Sequence, residues 1–140
     1  MDMGILGLAA SGKSTLFKLL TGHEPQPGGR RNGAQMGMAR VPDPRLDALS
    51  GLFNPRKTTT ASVRYLEVPG VSETHRGEES FNFPELRAAD ALLVVVRGFE
   101  SDAVPHPLGI IDPARDLQPI EQELVLQDQL VVERRLERLQ

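Results

Sequence analysis

The chain has 140 residues, 39% of them hydrophobic and 25% charged, and a formal net charge of −3, a balance that argues against DNA binding or a membrane surface and for one domain with a real core. Having no cysteine, it can build neither a disulfide framework nor a thiolate metal site, and this fits a cytoplasmic setting. The apolar N-terminus begins Met1-Asp2 without a basic lead-in and is interrupted by Lys13, so no targeting segment or bilayer span is expected.

In chain order, Met3 to Leu8 is a short apolar run ending in a glycine-rich turn, which reads as a strand. Ser14 to Thr21 follows with Leu16, Phe17, Leu19 and Leu20 at helical spacing, Gly22 as its C-cap and Pro25 and Pro27 beyond. His23 to Gln35 (HEPQPGGRRNGAQ) reads as a flexible loop. Met36 to Val41 is a second strand. Asp43 is placed to cap a helix whose first residue is Pro44 and whose Leu46, Leu49 and Leu52 share a face. Ser62 to Val68 is a third strand, broken at Pro69-Gly70. A polar loop, Val71 to Asn82, precedes Ala91 to Val96, whose unbroken apolar run is the mark of a parallel strand covered on both faces. Pro113 to Gln140 reads as one long amphipathic helix, with Ile120, Leu124, Leu130, Val131, Leu136 and Leu139 as its apolar positions. Strands alternating with helices predict an α/β domain.

The first turn carries the chemistry. Gly7, Gly12, Lys13 and Ser14 stand at the spacing G-x-x-x-x-G-K-[ST], after a strand and before a helix. A loop bracketed by glycines lets backbone N–H groups approach phosphate, and the helix adds the positive end of its dipole. Lys13 brings a point charge to the β and γ phosphates, and the Ser14 hydroxyl can bind Mg²⁺. The segment Gly7, Leu8, Ala9, Ala10, Ser11, Gly12, Lys13, Ser14 and Thr15 is therefore the predicted triphosphate cradle. The second element is a carboxylate at a strand end with a glycine beyond it. Glu67-Val68-Pro69-Gly70 has that form, with Glu67 facing the metal and Gly70 the γ phosphate. Glu stands where Asp is usual, which moves the carboxylate by about 1.5 Å.

At this point the chain resembles the YchF family of Obg-like P-loop ATPases. The likeness is carried by GLAASGKSTLFKLLTG, VPDPRLDAL, PRKTTTASVRYLEVPGV, RAADALLVVVRGFES and HPLGIIDPARDLQPIEQELVLQDQLVVERRLERL. It implies a P-loop NTPase three-layer sandwich with a mostly parallel sheet, truncated here and ending in a long helix. Residues 1–112 would be a nucleotide-binding part, and 113–140 the lead into a coiled-coil insertion, with a TGS domain beyond. It also implies ATP preferred to GTP, with Mg²⁺, and action near the ribosome. No N-K-x-D element occurs in the chain, so base choice rests on the resemblance alone and GTP stays open.

Departures from the family pattern bear on hydrolysis. A loop resembling NYPFCTIEPNVG usually precedes VPDPRLD; here the chain reads GGRRNGAQMG, with Arg31 about where the switch threonine belongs. Thr58, Thr59 and Thr60 lie beyond that position, and Arg30 and Arg31 are cations suited to neutralising phosphate charge. Val71 stands where Ras-like enzymes use a glutamine to orient water. The resemblance points instead to His106, in a mobile loop, as the water-positioning residue, a task that suits an imidazole. His23 and His75 are too scattered to build a metal site with it. The expectations are a YchF-like switch that slowly hydrolyses ATP or, alternatively, a degenerate module that binds nucleotide without turning it over.

Overall fold

The computed structural model describes residues 1–22, 34–70 and 84–139. His23, Arg30, Arg31, Val71 and His75 lie outside the described residues, and with them the two loops expected to act as switches. The elements run β1 (Asp2–Leu6), α1 (Lys13–Thr21), β2 (Gln35–Arg40), α2 (Pro44–Phe53), β3 (Ser62–Glu67), α3 (Pro84–Arg87), β4 (Ala91–Val94) and α4 (Pro113–Glu137). Four strands form one sheet in the order β2-β3-β1-β4. β1 is parallel to both β3 and β4, and β2 is antiparallel to β3. The α/β reading and the mostly parallel sheet both hold.

Local chemistry sets the helix ends. Gly22, at φ 70°, closes α1 by donating its N–H to the Lys18 carbonyl. Asp43 caps α2 by accepting from the Arg45 N–H at 3.0 Å, with Pro44 as the first helical residue. Asp112 and Pro113 repeat the device at α4. Pro119 lies inside α4, where it leaves the Arg115 carbonyl without a helical donor.

Helices cover the two faces of the sheet. On one side Gly37 lets α1 press onto β2: a methyl group there would stand 2.9 Å from Phe17 and 2.7 Å from Thr21. On the other, a methyl group on Gly4 would meet Leu86 of α3 at 2.3 Å. That second face holds a buried cluster of Leu6, Leu8, Leu66, Val68, Leu86 and Ile120. A strand's side chains alternate between faces, so Leu66 and Val68 enter this cluster while Glu67 between them points toward α1. This alternation delivers a carboxylate to the start of α1.

One expectation is corrected, and two helices are more exposed than an apolar stripe suggests. β4 stops at Val94 and stands last in the strand order among the described residues, with Leu92 43% exposed rather than covered on both faces. The α2 leucines do not form a buried face among the described residues, since Leu49 and Leu52 are exposed. Along α4, Ile120 is buried, but Val131, Leu136 and Leu139 are exposed. The buried seam is Asp116, Ile120, Glu123 and Gln127, three of them polar. Hydrogen bonding explains the difference, because Gln127 donates to Glu123 at 3.1 Å and accepts from Arg87 at 3.1 Å.

Candidate functional site

The turn between β1 and α1 is shaped by what its glycines must avoid. A methyl group on Gly7 would stand 2.3 Å from the Val95 carbonyl oxygen, and Gly12 has φ 100° at the N-cap of α1. Between them Ala10 also takes the left-handed conformation, at φ 58°. Lys13 is buried, and its ammonium reaches back across the loop to donate to the Leu8 carbonyl at 2.6 Å. The lysine thus spans the concavity that the loop encloses.

β3 supplies the opposing wall. Gly70 approaches the loop so closely that a methyl group on it would lie 2.6 Å from the Ala9 nitrogen and 2.8 Å from the Lys13 ammonium. Ser14 donates its hydroxyl hydrogen to Glu67 Oε1. Glu67 is 3% exposed, and its second oxygen, Oε2, is buried with no hydrogen-bond partner among the described residues. An unpaired buried carboxylate oxygen is costly unless something else occupies it. Ser14 and Glu67 present hard oxygen donors, the chemistry that Mg²⁺ takes when substrate phosphates and waters complete its shell. Among the described residues no group of three His, Cys, Asp or Glu side chains forms a self-contained metal site.

On the β4 side, loop residues 10–15 and the strap from Arg97 to Val104 enclose a cavity of about 350 Å³. Arg97 is 3% exposed, lies 4.8 Å over the Phe99 ring, and donates to the carbonyls of Phe99 at 3.0 Å and Val104 at 2.8 Å.

The structure brings Gly7 to Thr15, Glu67 and Gly70 together; His106 is held elsewhere. Its ring is buried, Nδ1 accepts from the Leu108 N–H at 3.1 Å, and Nε2 donates to Asp116 Oδ2 at 2.8 Å. Asp116 is also gripped by Arg115, at 2.7 Å. Both imidazole nitrogens are engaged, and His106 joins the loop after β4 to the first turn of α4. Sequence reasoning also passed over Arg97 and Asp116. Arg97 left a signal, a cation ending the run LLVVV; Asp116, one acid among many on α4, left none.

No protein-family model matches the chain. The chain is 38% identical to the ribosome-binding ATPase YchF of Haemophilus ducreyi, over 98% of its own length and 39% of that protein. It is 35% identical to the Bacillus subtilis protein of the same name, over 99% of its length and 40% of the relative. Obg-like ATPase 1 of Schizosaccharomyces pombe is 31% identical over 99% of the chain. A solved structure, the YchF GTPase of S. pombe, matches 99% of this chain and 39% of its own at 28% identity, with a TM-score of 0.66. The chain spans about two fifths of the length of the curated relatives it matches.

Proposed function

We propose, for a chain that is homologous to the YchF/Obg-like ATPases over nearly its whole length, that it binds ATP with Mg²⁺ in the loop from Gly7 to Thr15 and serves as a nucleotide-dependent switch at the ribosome in the cytoplasm. One observation carries the reading: Glu67, on the strand beside the loop, holds the Ser14 hydroxyl with one oxygen and keeps the other buried and unpartnered.

In this reading Ser14 and Glu67 would hold the metal, which would supply neutralisation of the charge on the β and γ phosphates. Lys13 exchanges the Leu8 carbonyl for phosphate oxygen, a stronger acceptor because it is charged. The Gly70 N–H offers a donor to the γ phosphate from the opposite wall. Residues 1–112 make up the nucleotide-binding part, and α4 extends from it toward a partner, its first half completing the core through Ile120. Among the described residues no helix is long and apolar enough to cross a membrane, and a net charge of −3 suits no general affinity for DNA.

Slow hydrolysis, with His106 positioning the water, requires that residue to leave Asp116 and Leu108. A second reading, binding without turnover, is favoured by the engagement of both its ring nitrogens. Calorimetry with ATP and GTP, with and without Mg²⁺, tests the proposal. The expected result is Mg²⁺-dependent binding that favours ATP and weakens by about 100-fold in Lys13→Ala, the scale of a lost charge-assisted contact. A folded chain that binds neither nucleotide overturns it. Phosphate release with added ribosomes separates the two readings: turnover sinks the second, and its absence sinks the first.

A further inference from the structure

Among the described residues, three buried side-chain atoms lack a hydrogen-bond partner: Ser11 Oγ, Glu67 Oε2 and Arg97 Nη1. All three border the loop between β1 and α1. Glu67 belongs to the metal side already described. Ser11, part of the phosphate-binding loop, and Arg97 line the cavity on the opposite flank, and Arg97 has been given no role there.

Arg97 is anomalous on charge as well as on hydrogen bonding. A guanidinium is ionised at any physiological pH, and this one is 3% exposed. Its partners are two neutral carbonyls and the face of Phe99; among the described residues no carboxylate pairs with it. Buried cations are ordinarily paired, so this one is short of an acceptor. Ser11 Oγ, also buried and without a partner among the described residues, lies beside Gly7 within the loop.

Strand order decides which part of a ligand would supply that acceptor. β1 lies between β3 and β4, so the loop that follows it is flanked by Glu67 and Gly70 on one side and by Arg97 on the other. The first flank takes the metal and the terminal phosphates. An elongated nucleotide held by Lys13 at that end must extend across the loop toward β4. We infer that Arg97 is a ligand-contacting residue whose Nη1, which presents under 1 Å² of surface here and must swing outward, donates to an oxygen at the nucleoside end of a bound nucleoside di- or triphosphate. The inference rests on the nucleotide-binding reading above and adds to it the second cation of the site. That oxygen belongs either to the α phosphate or to the sugar and base; its chemistry as an acceptor is the same.

The test compares the 140-residue chain with Arg97→Lys, which keeps the charge but loses the fork, by titrating ATP, ADP, tripolyphosphate and pyrophosphate, each with Mg²⁺. ATP and ADP affinity should fall by about tenfold, the scale of one hydrogen bond to a charged group, while pyrophosphate, which fills only the Lys13 end, binds as before. Weakened tripolyphosphate assigns the acceptor to the α phosphate; unchanged tripolyphosphate assigns it to the sugar and base. A loosened strap could mimic the loss, so guanidinium signals are followed in ¹⁵N-arginine protein. ADP should shift the Arg97 Nη resonances and pyrophosphate should not. Unchanged ADP affinity, an equal loss for pyrophosphate, or Arg97 resonances indifferent to ADP overturns the inference while leaving the nucleotide reading intact. A parent chain that binds none of the four ligands overturns that reading, and this one with it.

Discussion

Two groups of buried polar side chains divide the molecule. Along α4 and the loop before it, His106, Asp116, Glu123 and Gln127 are buried, and each is answered from within the chain: His106 by Asp116, Asp116 by Arg115, and Gln127 by Glu123 and Arg87. Around the loop between β1 and α1, Ser11, Lys13, Glu67 and Arg97 are equally buried, yet Ser11, Glu67 and Arg97 each keep an atom unanswered. A satisfied buried network contributes to one fold; an unsatisfied one is a cost that a ligand can remove. The contrast separates scaffold from site more sharply than burial or charge does.

Mutations should break the two groups in opposite ways. Asp116→Ala is expected to cost the most, about 3 kcal/mol or more, because it strands the His106 ring and one edge of Arg115. Urea unfolding measures this, and a loss below about 1 kcal/mol would mean that the seam is not tied as described. Glu67→Gln should go the other way. Removing an incompletely paired buried charge should leave the nucleotide-free chain as stable or more stable, by on the order of 1 kcal/mol, while the Mg²⁺-dependent part of ATP affinity falls roughly tenfold. If it instead unfolds the chain as Asp116→Ala does, Glu67 is scaffold and the comparison fails.

The smallest effect lies outside both groups. Arg45 holds the Asp43 carboxyl below its ordinary value, chiefly through its side chain and then through its backbone N–H. A lowered carboxylate pKa stabilises the fold above the unfolded value, near 4, and that contribution is lost as pH falls through the folded value. The melting difference between the parent chain and Asp43→Ala should therefore be small at pH 7 and shrink as pH falls below the ordinary carboxylate range. A difference that persists in acid would assign the effect to helix propensity rather than to the charged cap.

Much of the fold was legible because it is written in short-range chemistry. The spacing of Gly7, Gly12, Lys13 and Ser14, the cap Asp43-Pro44 and the break at Pro69-Gly70 each act within a few residues, and each sits where expected. The apolar run of β4 does not reveal that Leu92 is exposed among the described residues, because such a run carries no period that tells one face from the other. The length of α4 is legible from its pattern, but its buried acids are not; Asp116 and Glu123 become interior residues only where Arg115, His106, Arg87 and Gln127 meet them.

The candidate site divides along the same line. Sequence alone determined that a glycine-bracketed loop opens a helix carrying Lys13 and Ser14, since backbone freedom and residue spacing are local properties. Only the tertiary structure decided that Glu67 reaches Ser14, that Gly70 presses on Ala9, that His106 is tied to α4, and that Arg97 stands buried with a donor to spare. Each of these depends on which strand lies beside β1 and which helix covers it, and a pairing between residues 53 positions apart is settled by packing, not by spacing.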